Sequence, residues 1–169
     1  MNSSTATMTK GKVLLYAFCC GAIVANIYYA QPIIELIAPD VGLSSTLASL
    51  IVSLTQIGYA LGLFFLVPLG DLLENRRLMI ITTLVAIASL LGAAYTQQPN
   101  AFLLVSLLIG FSSVSVQIHS PLAAHLAPEE SRGRVVGSNM GGLLLGILLA
   151  RPVSSVVTDL FGWRAMFIA

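Results

Sequence analysis

The chain has 169 residues, of which 57% are hydrophobic and only 9% are charged. Its mean hydropathy of +0.92 is higher than the core of a water-soluble domain can use, so the composition argues against a soluble protein and indicates that lipid is the solvent. The formal net charge of +1 gives no reason to expect binding to nucleic acid.

Five apolar stretches have the length of a membrane-spanning helix, which needs roughly 20 residues to cross the hydrocarbon, and a sixth begins near the C-terminus. Proline, glycine and polar residues separate them. The predicted fold class is therefore all-α, in a multi-pass membrane protein. After a polar tail at 1–11, we place the helices at about 12–38, 45–69, 78–95, 101–126, 135–158 and 165–169.

The first stretch follows Lys10 and Lys12 and could be taken for a secretory signal. Its apolar run continues to about Ile37, far beyond the roughly 7–15 residues of a signal's apolar region, so we reject that interpretation. Pro32 in this stretch and Pro121 in the fourth predict kinks in their helices.

The connection between the second and third stretches holds the most concentrated charge in the chain. Segment 70–77 contains four charged residues, whereas the nearest charges on either side are Asp40 and Glu129. A charge cluster so isolated indicates a tight turn at a membrane surface, with a spanning helix on each side. Asp71 lies near a helix C-terminus, where the helix dipole disfavours a carboxylate, so we expect it to need a partner.

The placement of lysine and arginine predicts the orientation of the chain. Six of these residues lie in the N-terminal region and in the second and fourth connections, and only Arg164 lies in a connection on the other side. By the positive-inside rule, the N-terminus and those two connections are cytoplasmic. The six residues are Lys10, Lys12, Arg76, Arg77, Arg132 and Arg134.

The fourth stretch is polar on two faces, whereas the third can face lipid on most sides. A helix that is polar on two faces must line a cavity or be buried among other helices. By helical spacing, the two faces are Ser113, Gln117 and Ser120, and Ser112, Ser115 and His119.

Small residues recur at spacings that bring helices close together. The pairs Gly58/Gly62, Gly142/Gly146 and Gly146/Ala150 each predict close backbone contact with a neighbouring helix.

Polar residues at membrane depth are candidates for a substrate cavity. Arg151 either binds an anionic group or a carboxylate of another helix, or reaches the outer headgroups with its long side chain. His119 either relays protons near neutral pH or is a hydrogen-bonded packing residue. Each amide side chain either lines the cavity or bonds to a neighbouring helix. The candidates are Asn26, Gln31, Gln56, Gln117, His119 and Arg151.

The sequence contains no recognisable catalytic triad, metal-ligand cluster or phosphate-binding loop. His119 and His125 are six residues apart and do not share a helical face. We therefore expect neither an enzyme nor a metal or other cofactor. No Asp or Glu lies deep in a helix, so proton coupling would need His119 or a residue outside these 169.

The segment that follows the second stretch resembles the signature of the major facilitator superfamily, Gly-x-x-x-Asp-Arg/Lys-x-Gly-Arg-Arg/Lys. Asp71, Arg76 and Arg77 match it. The first glycine and the basic residue after the aspartate are replaced, and one extra residue precedes the arginines. Asn75 stands in the place of the second glycine, and since asparagine tolerates a left-handed backbone we expect the turn to survive.

Four further segments resemble the same family in order along the chain. Residues 26–32 are similar to the Asn-x-Tyr-Tyr-x-Gln-Pro run of bacterial efflux permeases, 128–134 to the loop between helices 4 and 5, and 162–164 to the start of helix 6. The fifth stretch resembles the antiporter signature Gly-x8-Gly-x3-Gly-Pro-x-x-Gly-Gly in degenerate form. Its positions are occupied by Gly137, Gly146, Ala150, Arg151 with Pro152 one residue late, Ser154 and Ser155.

The resemblance implies a secondary active transporter with two six-helix halves and a substrate held between them. It further implies proton-coupled efflux of a small molecule across an inner membrane, with the lipid bilayer, the substrate and protons as partners. Asp71, Asn75, Arg76 and Arg77 would form a cytoplasmic gating loop; alternatively, they are solvated charges that set topology.

By the same resemblance, residues 12–169 are an incomplete N-terminal half, and the C-terminal half is a missing partner. A second hypothesis belongs to a different class: a non-transporting membrane fragment from a truncated or disrupted transporter gene.

Overall fold

The computed structural model describes residues 9–118 and 127–168, and for Asp71 the backbone only. All regular structure within these two stretches is helical. Short 3-10 turns at Gln31–Ile33 and Glu129–Ser131 accompany the α-helices, and residues 115–118 are also α-helical. The helices are α1 (Lys10–Ala25), α2 (Ile34–Asp40), α3 (Ser45–Leu72), α4 (Asn75–Tyr95), α5 (Pro99–Ser113), α6 (Arg132–Phe161) and α7 (Trp163–Met166).

Four helices in the described ranges are long and apolar enough to cross a membrane: Ser45–Gly70, Asn75–Tyr95, Pro99–Ile118 and Glu129–Phe161. The all-α, multi-pass fold class predicted from the sequence is thus confirmed. The described residues hold one such helix fewer than the five predicted, because the first stretch is not a continuous helix.

The first stretch breaks after Ala25 and becomes α-helical again only at Ile34. The backbone between them follows turn hydrogen bonds, such as Tyr28 N–H to the Ala25 carbonyl at 2.9 Å. Pro32 lies in the break, where it has no N–H to donate and its ring obstructs a preceding α-helical turn. The kink predicted there is therefore a full interruption. At about 1.5 Å per residue, the 16 residues of α1 extend about 24 Å, less than the hydrocarbon thickness.

The helices associate as two groups. Helix α3 packs along α5, which also contacts α4, while α1 packs along α6. A buried apolar cluster joins the two groups at the end where α2, α5 and α7 meet. Its largest members include Ile37, Ile51, Phe102, Trp163 and Phe167.

Glycines allow the close approach of α1 to α6. A Cβ built on Gly21 would lie 2.6 Å from the Gly142 carbonyl oxygen, and one on Gly146 would overlap the Gly21 backbone. Ala150, one turn further along α6, is 2% exposed. The close contacts predicted from these spacings are thus confirmed.

Glycines also bring α3 and α5 together. A Cβ on Gly58 would overlap the Leu107 carbonyl oxygen, and one on Gly62 would lie 2.7 Å from that of Phe111. Likewise, Gly110 of α5 packs against the Thr55 carbonyl of α3, which a Cβ on Gly110 would overlap. Each of these helices therefore presents small residues to the other's backbone.

The polar residues of α5 are buried, as the two-faced pattern predicted. Ser106, Ser112 and Ser113 are buried, and each hydroxyl donates to a carbonyl three or four residues earlier in the same helix. These hydroxyls are therefore satisfied by their own backbone, which favours burial among helices over the lining of a polar cavity. The predicted kink at Pro121 lies outside the described residues.

Candidate functional site

The charged connection between α3 and α4 is shorter than the sequence suggested. Helix α3 continues through Asp71 to Leu72, and α4 begins at Asn75, so only Leu73 and Glu74 lie between them. No non-glycine residue in the described ranges has a positive φ. The tight turn is present, but Asn75 does not use a left-handed backbone to make it: Asn75 opens α4 after an extended Glu74 at the N-cap.

The two arginines of this connection point to the surface. Arg77 Nε lies 3.1 Å from Glu74 Oε2, with side chains 81% and 61% exposed, and Arg76 is also exposed. An ion pair so exposed contributes about 0–1 kcal/mol. Asp71 lies near the C-terminus of α3, and Asn75, Arg76 and Arg77 form the first turn of α4, where the exposed Arg76 has no ion pair among the described residues.

Two candidate cavity residues are brought together across 120 positions of sequence. Arg151 of α6 donates from Nη2 to Gln31 Oε1 at 2.8 Å, so the guanidinium meets the interrupted part of the first stretch. A second hydrogen bond joins the same two segments: Ser154 Oγ donates to the Tyr29 carbonyl oxygen at 2.7 Å. A broken helix leaves carbonyls without intrahelical partners, and α6 supplies a donor to one of them.

Another candidate, Gln117, bonds to a neighbouring helix. Its Nε2 lies 2.9 Å from the hydroxyl oxygen of Tyr59 on α3. This contact favours the helix-to-helix alternative for Gln117. Tyr59 was not among the predicted site residues, although it lies one residue after Gly58, on the stretch of α3 that packs closely against α5.

The remaining candidates are dispersed. Asn26 is half-buried at the C-terminal end of α1, Gln56 is exposed on α3, and neither side chain has a hydrogen bond among the described residues. His119 lies outside the described residues. The structure therefore assembles Gln31 with Arg151 and leaves Asn26 and Gln56 without a polar contact there.

The antiporter-like positions of α6 divide into packed and exposed ones. Gly146, Ala150 and Ser154 face α1 and the break, whereas a Cβ on Gly137 would meet nothing within 4 Å. Pro152 lies inside a helix that continues unbroken to Phe161. Ser155 donates to the Arg151 carbonyl at 3.2 Å within the same helix.

A polar cluster that sequence reasoning missed joins the end of α2 to the start of α7. Asp40 Oδ2 accepts from Trp163 Nε1 at 3.0 Å and forms an ion pair with Arg164, whose guanidinium carbon lies 4.3 Å from the Trp163 ring centroid. The Arg164 hydrogen bond, and then that of Trp163, lowers the pKa of Asp40 from its ordinary value. We call Asp40, Trp163 and Arg164 the Asp40 cluster.

Asn139 is a second missed residue. It lies on α6 with 0% exposure, and neither its amide nitrogen nor its oxygen has a hydrogen-bond partner among the described residues. Its signal was visible in the sequence as an amide within a largely apolar helix. No group of three potential metal-binding side chains occurs in the described part of the chain.

The family model of the Major Facilitator Superfamily matches residues 13–169. The chain belongs to this superfamily. It is 45% identical over 167 residues to the uncharacterized transporter YgaY of Escherichia coli O157:H7, covering 99% of this chain and 42% of the relative.

Two further relatives of this chain have more specific names. The inner membrane transport protein YnfM of Escherichia coli K12 is 30% identical to it, and the match covers 94% of this chain and 38% of the length of YnfM. The glucose transporter GlcP of Staphylococcus epidermidis is 32% identical to it, and the match covers 90% of this chain and 33% of the length of GlcP. The chain thus spans between one third and about two fifths of the length of these relatives.

These findings place the chain in a superfamily of membrane transporters, and four helices in the described residues are long and apolar enough to cross a membrane.

Proposed function

We propose that residues 12–169 form part of the N-terminal half of a secondary active transporter that exports a small molecule in exchange for protons across the inner membrane. The observation that carries the proposal is the Arg151–Gln31 contact beside the interrupted first helix. Interrupted helices with polar side chains at membrane depth are where secondary transporters bind substrates and ions. The degenerate antiporter-like positions of α6 support the direction and the coupling.

The proposed cavity uses Gln31 and Arg151, with Asn26, Gln56, Gln117 and His119 as further candidate wall positions. Proton coupling needs a titratable group, and His119 is the candidate within this chain. In the gating loop, Asp71, Asn75, Arg76 and Arg77 bias the equilibrium between inward-facing and outward-facing states through a partner on the cytoplasmic side. The N-terminus, with its tail at 1–11, lies in the cytoplasm.

The test is flux in proteoliposomes that carry these residues joined in frame to the C-terminal part of YgaY. A panel of drugs and sugars is loaded, a pH gradient is imposed, and efflux is followed. We expect saturable efflux of at least one compound that a proton ionophore abolishes. Flux that does not depend on the pH gradient would contradict the proposed proton coupling. Flux no greater than that of empty liposomes would overturn the whole proposal.

A second candidate function is that residues 1–169 by themselves insert into the membrane without transporting. It is favoured by the length comparison, since the relatives are more than twice as long, and a facilitator cavity needs two halves that move against each other. Liposomes containing only residues 1–169 should show no saturable flux of the same panel. Saturable flux would contradict this candidate and would point to a working dimer of the chain.

A further inference from the structure

The exposed surface of α3 is divided between an apolar face and a polar face. The apolar face presents large side chains at helical spacing, namely Leu50, Ile57, Leu61 and Phe64. Ser49, Ser53 and Gln56 recur at intervals of about one turn and are exposed on a second face, which we call the polar face of α3. The apolar face can lie against lipid without cost, whereas hydroxyl and amide groups in hydrocarbon lose the hydrogen bonds that water gives them.

The polar face is not satisfied by its own helix. Thr55, on the buried side of α3, donates its hydroxyl to the Ile51 carbonyl at 2.8 Å. In contrast, the side chains of Ser49, Ser53 and Gln56 have no hydrogen bond among the described residues. Their donors and acceptors are therefore free for water or for a polar solute.

The Tyr59–Gln117 contact lies beside this face. Tyr59 follows Gln56 by three residues, at the edge of the polar face toward α5, and both members of the contact are half-buried. The tyrosine oxygen accepts from Gln117 Nε2 at 2.9 Å. The hydroxyl proton of Tyr59 and Oε1 of Gln117 have no partner in the part of the chain that the structure describes. A free donor next to a free acceptor matches a hydroxyl group, which both accepts and donates.

The two helices that hold these groups contain no charge at membrane depth. Residues 45–70 of α3 and residues 99–118 include no Asp, Glu, Lys or Arg. A bound ion would lack a counter-charge there and would lose its hydration, so the groups select a neutral solute.

The polar face gives a path from one end of the span to the Tyr59–Gln117 contact. At 1.5 Å per residue, Ser49 lies about 6 Å along the helix from Ser45, and Tyr59 about 21 Å, near the middle of the span. Beyond Gln56 the same face continues with Ala60 and Leu63, which offer no side-chain hydrogen bond. Polar groups therefore extend from the Ser45 end only as far as the membrane centre.

We propose that Gln56, Tyr59 and Gln117 bind a neutral solute rich in hydroxyl groups, such as a sugar or another polyol, which enters along the polar face of α3 from the Ser45 end. Tyr59 is the added specificity-determining residue. The inference rests on the proposed function, because it names the substrate class of a cavity whose wall positions include Gln56 and Gln117.

Hydration of the polar face is measured by cysteine labelling of residues 1–169 in phosphatidylcholine nanodiscs. Cys19 and Cys20 are replaced by alanine, and Ser53→Cys is compared with Ile57→Cys on the apolar face. A water-soluble maleimide should label Ser53→Cys about tenfold faster, because the reactive thiolate forms only where water reaches the sulfur. Equal rates would show that the two faces share one environment and would overturn the proposal.

Solute binding is measured as protection of Ser53→Cys from the same reagent. The probe is D-glucose, and glucuronate is an anionic compound of matched size. Glucose should slow labelling in a saturable way, and glucuronate should need an about tenfold higher concentration, because its charge has no partner there. Absence of protection by glucose would overturn the proposal, and equal protection by glucuronate would contradict a neutral substrate class.

Tyr59→Phe, which deletes only the hydroxyl, should raise the glucose concentration for half-protection about fivefold, as the loss of one hydrogen bond does. The labelling rate without sugar should not change, whereas a purely structural role would alter it. Tyr95→Phe is the matched control, because it removes the same hydroxyl from an exposed tyrosine at the end of α4. Gln56→Leu gives a second reading and should also weaken protection. Equal effects of Tyr59→Phe and Tyr95→Phe would overturn the role of Tyr59.

A second copy of the chain seated on the polar face is the competing outcome. In that case, Ser53→Cys would form an intermolecular disulfide under oxidation and resist the maleimide, and the proposal would be wrong. Because the readout is binding, the inference and the proposed function can fail separately. Glucose protection without efflux in the proteoliposomes would contradict only the function, and efflux without protection that depends on Tyr59 would contradict only the inference.

Discussion

Single polar side chains close the gaps that interrupted helices leave in this bundle. In lipid, a backbone carbonyl without a donor costs several kcal/mol. Ser154, which is fully buried, places its hydroxyl 2.7 Å from the Tyr29 carbonyl in the break. Ser155, one residue later, only donates back to its own helix at 3.2 Å. Two adjacent serines thus have different roles, and one can serve as the control for the other.

Ser154→Ala should destabilise the protein by about 1–2 kcal/mol, because it removes the donor from a buried carbonyl. Ser155→Ala should change the free energy of unfolding by less than about 0.5 kcal/mol, as is usual where no buried partner is lost. Thermal unfolding in detergent, followed by circular dichroism, measures both. An equal effect of the two substitutions would show that the Ser154–Tyr29 hydrogen bond carries no special weight.

The Asp40 cluster should make stability depend on pH. The pKa of Asp40 is lowered from 3.8 by Arg164 first and Trp163 second, so the folded state favours the carboxylate more than the unfolded state does. Its stabilisation is therefore fully present above the unfolded pKa and is lost as pH falls through the folded pKa. Asp40→Asn should lower the melting temperature slightly at neutral pH.

The difference in melting temperature between Asp40→Asn and the wild type should shrink as the solution is acidified toward the folded pKa of Asp40. Glu35→Gln, a change at an exposed acid of the same short helix, serves as the control. A difference that stays constant down to low pH would contradict the role given to the ion pair.

At the scale of whole elements, glycines bring the backbones of α6 and α1 into direct contact. Gly146 packs against the Gly21 backbone, and Gly142 against that of Ala17. On the same helix, a Cβ at Gly137 would meet open space. One helix therefore contains both a glycine that packing requires and one that packing does not.

Gly146→Ala should destabilise by about 1–3 kcal/mol, because the added methyl group overlaps a backbone that cannot give way cheaply. Gly137→Ala should be neutral or stabilising by up to about 1 kcal/mol, since alanine favours a helix interior over glycine. Melting temperatures in detergent and resistance to trypsin compare the two. If both variants behave alike, the close contact between α1 and α6 does not hold this pair together.

At the scale of the whole molecule, the cytoplasmic location of the N-terminus and of the second and fourth connections remains a prediction. It rests on the six-to-one bias of lysine and arginine between the two sides. The structure places Asn75 at the α3–α4 junction and Gln98 between α4 and α5, at opposite ends of α4. A helix that crosses the membrane must therefore expose these two positions on opposite sides.

Single cysteines at Asn75 and Gln98, introduced after Cys19 and Cys20 are replaced by alanine, should react with a membrane-impermeant maleimide from opposite sides of the membrane. In intact spheroplasts we expect labelling at Gln98, and in inverted vesicles labelling at Asn75. Labelling of both from one side would contradict a spanning α4, and the reverse assignment would contradict the cytoplasmic N-terminus.

The sequence by itself determined the membrane environment, the all-α class, the superfamily resemblance and the glycines of the close contacts. These depend on local composition, on apolar length and on spacing along one helix, and such properties need no knowledge of distant residues. The interruption at Pro32 was also foreseen as a kink, but its extent was not, because a helix break in lipid is tolerated only where a neighbour satisfies the freed backbone.

Only the tertiary structure decided which side chains meet. Arg151 with Gln31 and Asp40 with Arg164 each join residues more than a hundred positions apart. The same local pattern would have allowed Arg151 to reach the headgroups and Asp40 to remain a solvated turn residue. Partner choice follows from which helix faces pack together, and that is settled by glycine contacts and apolar burial between elements, which no local pattern specifies.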